Sequence, residues 1–175
     1  IGSSVGTGGY SNYRFNLNSF IDSDTLWSNI MPDLNSIAMD YEGFAFLGIG
    51  IIVLILIVLI DLISNKRSFH KQSNKKLLIL LIPCLIMLFF SLTNKVGLNE
   101  IVLFEYDIPL ILEPFTKIFR SAGRFCWPMY YYIFLSLFII ISQSKRGKFY
   151  FYLLPLLLCL QIYDSKDAAY MFRAK

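Results

Sequence analysis

From Phe44 to Ile63 the chain is apolar throughout, and the one charge in the run is Asp61 near its end. A helix rises about 1.5 Å per residue, so a run of this length covers a hydrocarbon core about 30 Å thick. No polar face recurs at helical spacing, which excludes a soluble amphipathic helix. The run predicts a first membrane span at 44–63. Three further apolar runs follow the same logic. Residues 77–92 contain Pro83 and are short alone, but the Lys75 and Lys76 stems extend their reach by snorkelling. Residues 126–142 open on Trp127 and Tyr130 to Tyr132, aromatics that suit a headgroup boundary. Residues 149–163 begin with Tyr150 and Tyr152 near their own boundary and contain Pro155.

Composition agrees with lipid as the solvent. Hydrophobic residues make up 56% of the chain and charged ones 16%, too few charges to coat a soluble domain of this size. Mean hydropathy is +0.58. The expected fold class is therefore all-α integral membrane, with about four transmembrane helices and extracytoplasmic amphipathic segments. Lys66, Arg67, Lys71, Lys75 and Lys76 crowd residues 64–76, and Lys145, Arg146 and Lys148 crowd residues 143–148. Basic clusters that abut apolar runs read as topology, not as a nucleic-acid surface, and they place both loops in the cytoplasm. Segments 1–43, 93–125 and 164–175 are then extracytoplasmic, and the chain is a multi-pass protein of a cytoplasmic membrane. Ile1 opens no signal peptide, which reads as a fragment whose natural start lies upstream.

Chemistry-bearing residues concentrate in 105–128, EYDIPLILEPFTKIFRSAGRFCWP. Ile108, Ile111, Leu112, Phe115, Ile118 and Phe119 recur at helical spacing, which predicts one or two short amphipathic helices lying on the outer membrane surface. Glu113 and Lys117, four apart, support such a helix. Arg120 and Arg124 fall where headgroups meet water. A guanidinium holds phosphate through two parallel bonds and stays charged, so these two are the candidate lipid-phosphate ligands. The alternative is an interfacial anchor or an ion pair with Glu105, Asp107 or Glu113. Glu42, beside the first span, is a candidate external acidic contact if it faces Arg120 and Arg124, and Glu105 is a second; a solvated helix-start carboxylate is the plainer account of Glu42. Asp61 is a functional candidate as a nearly intramembrane charge, or an anchor satisfied by Lys66 or headgroup water. Cys84, Cys126 and Cys159 lie too far apart for metal spacing and read as packing residues. His70 is the single histidine, so a histidine-based metal site or triad is not expected. The opening GSSVGTGGY has glycines but not the strand and helix that a phosphate loop requires.

The string FRSAGRFCWPMYYY at 119–132, with EYDIPL at 105–110 and YEGFAFLG at 41–48, resembles an uncharacterised bacterial membrane-protein family, the DUF6311 type, which looks related to the GT-C superclass of glycosyltransferases. The resemblance reaches from about Gly9 to the fourth apolar run. It implies transfer of a sugar from a polyprenyl-phosphate donor at the external membrane face, in surface polysaccharide or glycolipid synthesis. Arg120, Gly123, Arg124, Phe125 and Trp127 match the family string, and none of them matches as a catalyst. In that class the catalytic carboxylate sits in an early external loop, so it is expected upstream of this chain. The cofactor stays open, with a divalent metal in the intact protein among the options. A transporter or flippase of a lipid-linked intermediate would use the same arginines without a catalytic carboxylate, and a non-catalytic membrane scaffold would need neither.

Overall fold

The computed structural model describes residues 10, 12–34, 40–64, 71–111, 113–119 and 121–173. Its helices and strands run in the order α1 (Ile49–Ser64), α2 (Lys71–Ser91), β1 (Lys95–Leu98), β2 (Ile101–Glu105), α3 (Glu113–Ile118), α4 (Trp127–Ser142), α5 (Gly147–Asp164) and α6 (Lys166–Arg173). Two single 3-10 turns, Asp40–Gly43 and Ala122–Cys126, precede α1 and α4.

The starts of α1 and α4 have local causes. Gly48 adopts φ +85°, a left-handed conformation open to glycine, and its missing Cβ leaves room for the Gln161 side chain. That bend holds Phe44 to Gly48 out of helix, and α1 starts only at Ile49. Pro128 sits in the first turn of α4, where a missing N–H costs nothing. α1 packs on α5 and α2 packs on α4, and the two pairs join through α1 and α4. Gly50 lets α1 approach α5 closely, since a Cβ there would lie 2.7 Å from the Leu157 carbonyl oxygen. Leu54, Val58, Leu137, Ile141, Tyr150 and Leu157 form the shared core.

The expectation of an all-α chain with about four transmembrane helices is overturned. Among the described residues a single helical stretch, Ala122–Ser142, is long and apolar enough to cross a membrane. α1 keeps 16 helical residues because Phe44–Gly48 is not helical, which gives about 24 Å of rise. α2 spends its first turns on Lys71, Lys75 and Lys76, and α5 carries Lys148, Pro155, Gln161 and Asp164. Nor is the chain wholly helical. β1 and β2 pair antiparallel, Lys95 opposite Glu105 and Leu98 opposite Ile101, with Asn99 at φ 55° in the connecting turn.

The solvent faces of the long helices are apolar. Ile60 and Ile63 on α1, Ile79 and Phe89 on α2, and Phe151 and Leu156 on α5 are all exposed. By contrast, the segment 12–34, the hairpin and the two 3-10 turns form a cap whose interior is polar. Arg14, Asn16, Asn18, Asp22, Asp40 and Thr93 are buried there. The cap closes the end of the helical layer where α2 and α5 finish and α1 and α4 begin. Phe15 N–H bonds Ser91 O at 2.8 Å, and Gly123 N–H bonds Tyr13 O at 2.8 Å. At the opposite end, Arg146 Nη1 lies 3.1 Å from Asp61 Oδ1.

Candidate functional site

The cap is built around one buried ion pair. Arg14 Nε lies 3.1 Å from Asp40 Oδ1, with both side chains almost wholly buried. Asn16 donates to Asp40 Oδ2 at 2.8 Å, and Arg14 Nη1 donates to Lys95 O at 3.1 Å. Asn16 also donates to Asn99 O at 2.8 Å and accepts from Asn99 N–H at 3.1 Å, while Asn18 reaches Asn99 Oδ1 at 2.6 Å. The segment 14–18 thus locks the hairpin, the Asp40–Gly43 turn and the end of α2 together. Burying such a pair adds little net stability, but it fixes which segments meet.

What this frame presents outward is Glu42 and Arg124. Arg14 O lies where a Cβ on Gly43 or on Gly123 would stand, 2.6 and 2.9 Å away, so the two 3-10 turns pack backbone to backbone across it. The next residue along the 122–126 turn is Arg124, and its Nε bonds the carboxylate of Glu42. Glu42 keeps 9% of its side-chain exposure and Arg124 keeps 58%, so the carboxylate is an inner anchor and the guanidinium faces out. Among the described residues only Nε of Arg124 is engaged, which leaves both terminal nitrogens available as donors. Tyr41, edge-on to Tyr13 at 6.1 Å, borders the pair. Partial desolvation, reinforced by the neighbouring Glu42 carboxylate, raises the Tyr41 phenol above its ordinary value. The arrangement is suited to holding a small anion against one guanidinium whose orientation is already set.

The string at 119–127 takes on separate roles here. Gly123 permits the backbone contact. Phe125 stacks edge-to-face with Phe90 and Phe119, each at 5.1 Å, and ties the turn to the end of α2. Cys126 is fully buried, and Trp127 is half-exposed beside Phe44 and Tyr131.

Other sequence candidates end up elsewhere. Arg120 lies outside the described residues, so the clamp is described at Arg124 alone; His70, Lys66 and the opening glycines lie outside them too. Arg124 pairs with Glu42 instead of Glu105, Asp107 or Glu113. Glu105 is held by Lys95 across the hairpin at 3.1 Å, and Glu113 by Lys117 at 3.0 Å in the expected i,i+4 pair. Asp61 is satisfied by Arg146 and by the Tyr150 hydroxyl at 3.1 Å, a linkage between α1 and α5. Cys84 is buried, whereas Cys159 is exposed. No group of metal-ligating side chains stands among the described residues. Sequence reasoning passed over Arg14 and Asp40, although Arg14 is the one cation in an otherwise acidic stretch before Phe44. It also passed over Asp164, which is buried and accepts from Ser28 Oγ at 2.8 Å and from the backbone N–H groups of Asn29 and Ile30 at 2.9 Å each.

Residues 1–166 match a family described as a domain of unknown function (DUF6311). No curated protein and no solved structure matches the chain.

Proposed function

The chain belongs to the DUF6311 family, and we propose that it is a membrane-embedded part of a glycosyl-transfer protein that holds a phosphate-bearing lipid at its cap end. The observation that carries this is Arg124: an outward guanidinium, oriented from behind by Glu42, one helical turn before the aromatic start of α4. Residence in a membrane is supported by the apolar outer faces of the helices and by the Ala122–Ser142 stretch. Lys145, Arg146 and Lys148 lie at the end opposite the cap, which favours a cap facing away from the cytoplasm.

The donor in this proposal is a polyprenyl-phosphate sugar. Its phosphate accepts from the Arg124 terminal nitrogens, and the cation stabilises the charge left on the departing phosphate when the sugar–oxygen bond breaks. Glu42 is a positioning residue for Arg124. The base that takes the proton of the acceptor hydroxyl is not assigned to any described residue.

Arg124→Lys keeps the charge and removes the fork. Surface glycan made by cells carrying only this variant falls by roughly tenfold or more, the loss of one charge-assisted bond worth about 1.5–3 kcal/mol. Glu42→Gln lowers it less, because the guanidinium stays charged but loses its orientation. Normal glycan from the Arg124→Lys cells, with the protein at ordinary abundance, refutes the assignment.

A further inference from the structure

The end of the helical layer opposite the cap carries charges that the chemistry of the cap leaves unused. Asp61 is the one carboxylate in the stretches 44–93 and 127–163; the rest of the chain's 12 acidic residues fall outside them. Lys145, Arg146 and Lys148 stand where α4 turns into α5, and all three are exposed. Asp61 does not cancel their charge. Its Oδ1 lies 3.1 Å from Arg146 Nη1, and its Oδ2 accepts from the Tyr150 hydroxyl at 3.1 Å. The aspartate side chain is 5% exposed and the arginine 54%, so a buried acid orients an outward guanidinium. One cation answers that acid, and the two lysines are left in excess, with no ion pair among the described residues.

Backbone and apolar groups support the same reading. No side chain caps the start of α5, so the N–H groups of its first turn remain donors. A Cβ on Gly147 would meet nothing within 4 Å, so the space beside it is open. Phe149, Phe151 and Tyr152 follow at once on α5, and Ile60 and Ile63 close α1; all are exposed.

We propose that the α4–α5 turn is a docking surface for the headgroup of an anionic phospholipid, with Lys145, Arg146 and Lys148 on its phosphate. The inference rests on membrane residence and is independent of what Arg124 holds. Charge complementarity selects the occupant, because the turn is net positive and its single acid is already engaged. The neighbouring apolar side chains narrow the choice. A nucleic acid or an acidic protein segment would meet the cations and leave Ile63, Phe151 and Tyr152 in water, whereas one lipid molecule offers a phosphate to the turn and acyl chains to those side chains. A choline headgroup brings a second cation beside the lysines, so a zwitterionic lipid is the poorer ligand.

The test titrates the whole protein, in micelles of a neutral detergent, with phosphatidylglycerol or phosphatidylcholine of the same acyl chains, and counts retained lipid by native mass spectrometry. Phosphatidylglycerol is expected to bind severalfold more tightly. Lys145→Gln with Lys148→Gln leaves the Asp61–Arg146 pair intact and weakens phosphatidylglycerol by roughly tenfold, without changing phosphatidylcholine. Lys95→Gln with Lys117→Gln removes the same charge at the cap end and leaves both affinities as they were. Arg146→Lys keeps a cation opposite Asp61 but removes the fork, and weakens phosphatidylglycerol severalfold; an unchanged affinity contradicts the role of Arg146. Equal retention of the two lipids overturns the proposal, and so does equal loss in the two double variants, which would mark diffuse attraction to a basic protein. Displacement of phosphatidylglycerol by millimolar inorganic phosphate or by a single-stranded oligonucleotide overturns the lipid as occupant.

Discussion

Arg14 and Asp40 show how few side chains organise the cap. A carboxylate and a guanidinium that are both out of water need each other, because either one left alone keeps its full desolvation penalty. Asp40→Asn therefore destabilises the protein by about 3–5 kcal/mol, read as a lowered midpoint in thermal unfolding of the protein in detergent. An unchanged midpoint contradicts the account of the cap. Asp24 carries a second residue-scale consequence. Burial, with Asp22 and Asp33 nearby, raises its carboxyl above the ordinary 3.8. A carboxyl with a raised folded-state value binds its proton more tightly when folded. Its contribution to stability is complete below the unfolded value and is lost as pH rises through the interval between the two. Asp24→Asn removes that penalty, so it stabilises the protein at neutral pH and has no such effect near pH 3. Unfolding midpoints at the two pH values check this, and equal effects at both contradict it.

Among the elements, the hairpin depends most on a single turn. Asn99 stands at φ 55°, where asparagine is tolerated and other side chains crowd the following carbonyl, and it also bonds Asn16 and Asn18. Asn99→Ala costs about 1–2 kcal/mol in backbone conformation alone. Faster amide exchange across 95–105 with unchanged exchange in α4 is the expected outcome; uniform exchange rates across both contradict it. The sequence concealed this hairpin because β2 has no alternation to display: all five of its residues are exposed. Helix interiors were legible, since their apolar runs exceed any strand, and so was the Glu113–Lys117 pair, which obeys helical spacing. Helix ends were not. The start of α1 depends on Gly48 meeting Gln161, and the partner of Asp61 on α5 is fixed only when α1 and α5 pack. Arg124 stands out in the sequence as a candidate by residue type and Glu42 as a carboxylate that could face it, but the contact between them, 82 positions apart, is a product of the turn-to-turn packing across Arg14.

As a whole molecule the chain has a buried apolar core between its helices, apolar side chains exposed on their outer faces, and a cluster of buried polar groups in the cap. The apolar faces meet lipid in this account, and the boundary of that lipid lies at the first turn of α4, just beyond Arg124. The protein's two tryptophans make the boundary measurable: Trp27, in the segment that forms the cap, packs on Phe44 at 5.9 Å, and Trp127 is half-exposed at the start of α4. With Trp27→Phe in place, the fluorescence of Trp127 is recorded in vesicles whose lipids carry bromine at different depths along the acyl chain. Strong quenching by bromine near the headgroup, fading as the bromine moves toward the bilayer centre, is the predicted result. Fluorescence indifferent to brominated lipid at every depth would place the start of α4, and Arg124 with it, away from the membrane and contradict the account.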